Sequence, residues 1–188
     1  PHQLTHAQAA AVQQLDHGGI ARLQPGVGAG VVKLRQAHGV VGVISPWNMP
    51  LLLFTWKLAP ALAAGNCVIA KPSEVTPLTA QMLAELARDI DFPLGVLNIV
   101  HGLGQSVGQA LVDHPGIKAI SFTGSTAVGR RIAESCARQL KKCSLELGGK
   151  NAALIFADAP KDRLYDHIVR AAFQNTGQIC LCGSRLLI

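Results

Sequence analysis

From residue 39 onward, short apolar runs alternate with longer segments of helical spacing. Val40-Val41-Gly42-Val43-Ile44 is β-branched and stops before Pro46, which predicts a buried strand. Pro50 can open a helix at its first turn, and Leu51–Ala64 then runs without a breaker until Pro60, closed by Gly65-Asn66. Cys67-Val68-Ile69-Ala70 predicts a second strand, ended by Lys71-Pro72. Thr76-Pro77 has the form of an N-cap followed by a first-turn proline, and Leu78, Met82, Leu83, Leu86 and Ile90 recur on one helical face. Leu97-Asn98-Ile99-Val100 is the third expected strand, followed by a Gly-rich turn and a helix from about Gln105 to Val112. Ala119-Ile120-Ser121-Phe122 is the fourth, followed by a helix with Val128, Ile132 and Cys136 on one stripe. Cys143–Leu147 is the fifth.

Such alternation with short connections is the mark of a parallel sheet covered on both faces, an α/β fold. Sheets of this kind bind ligands outside the carboxyl ends of their strands. After Glu146 the pattern changes: Ala152–Phe156 predicts a strand, Lys161–Phe173 a helix and Ser184–Ile188 another strand. We therefore expect an atypical N-terminal arm over residues 1–38, with a short helix near Thr5–Leu15. A nucleotide-binding domain over 39–145 and the start of a second α/β domain over 146–188 follow. The beginning at Pro1 and the apolar ending Leu186-Leu187-Ile188 suggest a fragment of a longer protein.

Composition narrows the picture. Of 188 residues, 49% are hydrophobic and 15% charged, a globular balance. Lys57, Pro60 and Gly65 interrupt the apolar runs, so none reaches the roughly 18 to 20 residues of a membrane span, and no membrane association is expected. The net charge is +6, but Arg130, Arg131 and Arg138 fit the outer face of one helix and few aromatics lie near them. A solvated face is expected there and not a nucleic-acid surface. Five cysteines, an odd number and mostly in apolar segments, argue for a reducing compartment, hence the cytoplasm. Cys180-x-Cys182 has no matching Cys/His pair nearby and His101, His114 and His167 are scattered, so no metal site is expected.

The chemistry-bearing residues fall at segment ends. Asn48, Lys71, Glu74, Gly104, Ser125 and Glu146 all lie at expected strand carboxyl ends, and Cys180 follows a helix broken by Gly177. Thiol, carboxylate and amide donor are the parts needed for acyl chemistry through a sulfur adduct. Lys71 and Glu74, three apart, suit a ribose diol, and a carboxylate there would repel a 2′-phosphate, favouring NAD over NADP. Gly102-Leu103-Gly104-Gln105-Ser106-Val107-Gly108 is like a dinucleotide fingerprint with one residue too many before the last glycine. Thr123-Gly124-Ser125-Thr126 leads into a helix whose first N–H groups could hold a phosphate. Each feature has a plainer reading: a surface ion pair for Lys71 and Glu74, a helix cap for Asn48, an inert thiol for Cys180, a core carboxylate for Glu146, ordinary turns for the glycines.

Ser45-Pro46-Trp47-Asn48, Lys71-Pro72-Ser73-Glu74, Phe122-Thr123-Gly124-Ser125, Leu145-Glu146-Leu147-Gly148-Gly149-Lys150 and Gly177-Gln178-Ile179-Cys180 resemble, in order and spacing, the successive motifs of the NAD(P)-dependent aldehyde dehydrogenase superfamily. The wording around them, such as Thr55-Trp56-Lys57-Leu58-Ala59-Pro60 and Cys180-Leu181-Cys182, is most similar to the branch oxidising 2-aminomuconic and 2-hydroxymuconic semialdehydes. The resemblance implies a Rossmann-like cofactor domain, and it implies Cys180 as nucleophile, Asn48 as oxyanion donor and Glu146 as the base for hydrolysis. An acyl-CoA-forming relative would not need that base. Lys71 and Glu74 would hold the adenosine ribose, Trp47 and Ser125 the pyrophosphate, Gly104 the adenosine side, and Leu147 and Gly148 the nicotinamide. Ile44, Ser45, Pro46, Ser73 and Gly108 are carried over as further cofactor contacts. So are Phe122, Thr123, Gly124 and Val128. Residues 1–38 do not resemble what precedes the Asn48 motif in the family. The expected partners are a small aldehyde and, for the full-length parent, a second or further copies in a homodimer or homotetramer. A catalytically idle nucleotide-binding or interaction protein is the alternative.

Overall fold

A computed structural model describes residues 36–188. The expectations for the arm and its helix near Thr5–Leu15 lie almost wholly outside these residues. Five strands form one sheet in the order β3-β2-β1-β4-β5, every pair parallel. They are β1 (Val40–Ile44), β2 (Cys67–Lys71), β3 (Leu97–Ile99), β4 (Ile117–Gly124) and β5 (Lys142–Leu147). The helices between them are α1 (Pro50–Ala63), α2 (Leu78–Asp89), α3 (Gln109–Asp113) and α4 (Thr126–Arg138).

β1 is buried at every position, because it has a strand on each side and helices over both faces. On one face Val41, Val43, Phe54, Leu58, Val68, Ala70 and Ala80 pack together, covered by α1 and α2. On the other, Val40, Ile44, Ile69, Ile120, Phe122, Ile132 and Cys136 pack with Leu111 and Val112 of α3. Gly42 is where the sheet comes closest to its neighbours: a Cβ there would lie 2.7 Å from Ile120 Cδ1. The chain builds β1, β2 and β3 in one direction, then crosses back to β4 and β5. In parallel sheets of this kind such a reversal is where ligands bind, here between the carboxyl ends of β1 and β4.

Four local expectations are corrected. Thr76 does not cap α2: Pro77 occupies the cap position, and Thr76 Oγ1 is buried without a hydrogen-bond partner among the described residues. Of the apolar stripe on α2, Leu78, Met82, Leu86 and Ile90 are exposed and only Leu83 packs inward, beside Ala80. Periodicity marked the stripe but could not say which side of the helix the sheet lies on. The expected helix from Gln105 is a π-type turn over Gly104–Gly108 that runs into α3. Thr123 and Gly124 belong to β4 and not to the turn after it.

Arg130, Arg131 and Arg138 of α4 are exposed. Lys141 is not a solvated charge, because its ammonium donates to the carbonyls of Val112 (2.6 Å) and His114 (2.7 Å) at the end of α3.

The sequence-based division after residue 145 falls inside β5, whose Glu146 and Leu147 still pair with Thr123 and Gly124 of β4. Beyond it, β6 (Asn151–Leu154) and β7 (Gly183–Leu187) pair in parallel as a separate sheet, joined through α5 (Lys161–Phe173) and a short 3₁₀ turn, Gln174–Gly177. No residue of α5 is fully buried. No helix among the described residues is long and apolar enough to cross a membrane.

Candidate active site

At the end of β2, Lys71 is only 2% exposed, yet its ammonium is satisfied by the Pro72 carbonyl and Glu74 Oε2, each at 3.0 Å. Its stem lies under Gly108, where an added Cβ would stand 3.7 Å from Lys71 Cδ. The Glu74 carboxyl is held below its ordinary value first by its own backbone N–H, then by the Lys71 hydrogen bond, with the Gly104 N–H adding to both. Lys71, Glu74, Gly104 and Gly108 are thus brought together. The π-type turn accounts for the extra residue in the glycine pattern. The Leu103 carbonyl accepts from Ser106 (3.2 Å), Val107 (3.0 Å) and Gly108 (3.4 Å), a wider loop than an α-helical start. Gly102, at φ 147, must be glycine for this turn. Ser73 is buried, and its hydroxyl accepts from the Val75 N–H (3.5 Å), so it braces this turn.

At the end of β1, the Ser45 N–H donates to the Lys71 carbonyl at 3.1 Å, and its buried hydroxyl has no partner among the described residues. Pro46 is half-buried and Trp47 is exposed. The side chains of Ile44 and Phe122 belong to the core, so either can meet a ligand only through its main chain. Thr123 is buried in β4, and a Cβ on Gly124 would strike the Phe122 ring. Ser125 caps α4, its hydroxyl accepting from the Val128 N–H at 3.4 Å, and Val128 is exposed on the first turn. Leu147 packs against the core where Gly129 makes room for it, and Gly148 is open, with free space where a Cβ would stand.

The thiol side is joined to β1 by hydrogen bonds spanning most of the chain. Asn48 Nδ2 donates to the Gln178 carbonyl at 2.6 Å, and Asn175 Nδ2 donates to the Asn48 carbonyl at 2.9 Å. Asn151 Nδ2 donates to the carbonyl of Cys180 at 2.7 Å. Asn48 is therefore no helix cap: α1 begins after Met49 with no side-chain cap. The Cys180 residue is exposed, unlike a buried inert thiol, and Glu146 is exposed in β5 opposite Thr123, unlike a core carboxylate. An Asn amide has two N–H groups, so with one on Gln178 the other is left in a fixed direction.

A family model described as "Aldehyde dehydrogenase family" matches residues 3–188, reaching back into the segment that had shown no resemblance. The chain belongs to the aldehyde dehydrogenase family. It is 57% identical over 155 residues to 2-aminomuconic semialdehyde dehydrogenase of Danio rerio, covering 82% of this chain and 32% of that protein. Against 2-hydroxymuconic semialdehyde dehydrogenase of Pseudomonas putida the identity is 50% over 164 residues, covering 87% and 34%. The chain spans about a third of the length of these curated relatives. The crystal structure of PnpE in complex with nicotinamide adenine dinucleotide superposes with a TM-score of 0.78 at 49% identity, covering 81% of this chain and 31% of that one. The parallel sheet with its covering helices is the α/β arrangement of aldehyde dehydrogenase structures, present here in part.

Four residues of this candidate site escaped the sequence reading. Asn175, Gln178 and Asn151 lie within the stretches around Cys180 and Glu146, but nothing local shows that they reach across to each other. Lys57 lies mid-helix on α1, donating to Ser121 Oγ at 3.1 Å. Burial pushes its ammonium down from the ordinary value, and the Glu146 charge opposes that shift. A lysine inside the apolar run Leu51–Ala64 was the available signal.

Proposed function

We propose that, within a full-length enzyme, this chain carries the cofactor site and nucleophile for NAD-dependent oxidation of an aldehyde to a carboxylic acid. A muconic-type semialdehyde is the substrate class we favour. The observation that carries the reading is the pair of hydrogen bonds linking Asn48 to Gln178 and Asn175, which sets the amide at the end of β1 beside the Cys180 loop.

Cys180 Sγ attacks the carbonyl carbon, and the developing oxyanion is received by the free Asn48 N–H and the Cys180 backbone N–H. When bound, NAD supplies the hydride acceptor. With the hydride gone from carbon, Cys180 holds the acyl group as a thioester. Glu146 takes a proton from water, which adds to that carbon; the C–S bond breaks and the carboxylic acid leaves.

The residues present fit a dinucleotide. Ser45 has a buried hydroxyl without a partner, Gly104 leaves open space where a Cβ would stand, and Glu74 is held ionised with its carboxylate 44% exposed. We assign Lys71 and Glu74 to the adenosine ribose, Gly104 to the adenosine side, and Trp47 with the Ser125 turn to the pyrophosphate. Leu147 and Gly148 border the nicotinamide. The test is NADH formation by the full-length enzyme against a panel of semialdehydes and simple aldehydes. Oxidation of the semialdehydes at the highest kcat/KM supports the assignment, and no NADH with any aldehyde defeats it.

A second reading applies to the 188-residue chain by itself. The apolar side chains left exposed on α5 favour a nucleotide-binding but catalytically idle unit.

A further inference from the structure

The turn leading to Cys180 is built from conformations that side chains avoid. Asn175 (φ 53, ψ 43), Thr176 (φ 56, ψ 28) and Gly177 (φ 74) are consecutive and left-handed. Glycine adopts this region freely and asparagine tolerates it, but β-branched threonine is strained there. Such a turn persists only where its surroundings over-determine it. Here the surroundings form a closed ring of hydrogen bonds. Asn175 Nδ2 donates to the Asn48 carbonyl (2.9 Å), and Asn48 Nδ2 donates to the Gln178 carbonyl (2.6 Å). The Gln178 N–H returns to the Asn175 carbonyl (3.0 Å), which also accepts from Thr176 Oγ1 (2.7 Å). Asn151 ties the far end by its bond to the Cys180 carbonyl.

We propose that Asn175 is a positioning residue: its amide, donating to the Asn48 carbonyl, locks the left-handed turn that sets Cys180 against the Asn48 amide. The inference rests on the roles proposed above for Cys180 and Asn48. Asn175 touches neither substrate nor cofactor and acts through the two groups that do. Without its donor, the Asn48 peptide and the 175–178 turn keep only one of the two bonds that couple them, that from Asn48 Nδ2 to the Gln178 carbonyl. Held at one point instead of two, the turn can pivot, and the free Asn48 N–H shifts relative to the sulfur. A nucleophile and an oxyanion donor depend on placement, and a shift of about 1 Å costs roughly a hundredfold in rate.

The experiment compares the full-length enzyme with Asn175→Ala and Asn175→Asp in a single turnover. NADH formation is followed after mixing with NAD and aldehyde. Active sites are counted by iodoacetamide labelling of Cys180, read by peptide mass spectrometry. Asp keeps the size of Asn but cannot donate, and it serves if the alanine variant does not fold. The expected result is a per-site rate of NADH formation lowered about tenfold to a hundredfold, with NAD affinity unchanged. In Asn175→Ala/Thr176→Gly part of the rate should return, because glycine removes the strain at 176. A purely structural role would instead reduce the number of labelled sites while each survivor works at the unvaried rate, and that outcome overturns the proposal. If the unvaried enzyme makes no NADH from any aldehyde, the functional reading fails separately. Hydrogen exchange at the Gln178 amide then decides the proposal: faster exchange in Asn175→Ala supports it and unchanged exchange refutes it.

Discussion

Lys71 and Glu74 form an ion pair at 3.0 Å in which one partner is sealed and the other open, with side chains 2% and 44% exposed. Its own backbone N–H first, and then the buried Lys71 ammonium, hold Glu74 as an anion, and its exposure leaves that anion able to accept from a ligand. Because the Glu74 carboxyl is depressed in the folded chain, it binds its proton later than an unfolded carboxylate near 4.5 as pH falls. The pair's contribution is therefore complete above about that pH and is lost below it, as the lowered Glu74 value is passed. NAD affinity should hold from neutral pH down to about 4.5 and fall only below it. Titration of NAD binding against pH checks this, and Glu74→Gln should remove the acid-side step.

The same carboxylate sets cofactor choice in the proposed site. Glu74→Ser should weaken NAD by about 1 to 3 kcal/mol, the range for a hydrogen bond to a charged group. NADP should gain relative to NAD. Equal affinities for NAD and NADP in the unvaried protein would move Glu74 away from the ribose.

Cys180 and Glu146 should fail in different ways. In the full-length enzyme Cys180→Ala should abolish oxidation with NAD binding kept. Glu146→Gln should release the thioester slowly, so a burst of NADH precedes slow turnover. Stopped-flow absorbance separates the two, and an unchanged steady state in Glu146→Gln would remove it as the base.

Lys141 should matter for stability and not for chemistry. Its two bonds add to those that Gln139 Nε2 makes to the Val112 carbonyl and the Ile117 N–H makes to the His114 carbonyl, so Lys141→Met removes one donor from each acceptor. A loss of about 1 to 3 kcal/mol is expected in urea unfolding.

The 188-residue chain by itself should bind NAD weakly and turn over no aldehyde. Tyr165, Val169 and Phe173 are 74%, 57% and 68% exposed on α5, and Leu186 and Leu187 are exposed on β7. Surfaces of that kind promote association, and they leave the segment bearing Cys180 without packed support. Light scattering and a coupled NADH assay test both halves. Turnover by a monomer at the rate of the full-length enzyme would refute the expectation.

What the sequence determined by itself was the strands and their alternation with helices, although local signals misplaced the Thr76 cap and the helix from Gln105. The β-branched run Val40–Ile44 could only be a buried strand, and the alternation that follows it led to the parallel sheet. The glycines and polar residues at strand ends picked out the candidate site proposed above. Only the tertiary structure decided which of those residues meet. Asn48 looked equally like a helix cap, and it became a partner of Gln178 because β1 ends beside the turn that follows α5. Leu78, Met82, Leu83, Leu86 and Ile90 looked like one core stripe, yet of these only Leu83 packs inward, beside Ala80, on the inner side of α2. Lys57 was an interruption in an apolar run until α1 brought it under the charge of Glu146. Periodicity is fixed by backbone geometry over a turn or two of chain. A contact between residues a hundred or more positions apart depends on how whole elements cross and pack, and no local pattern carries that information.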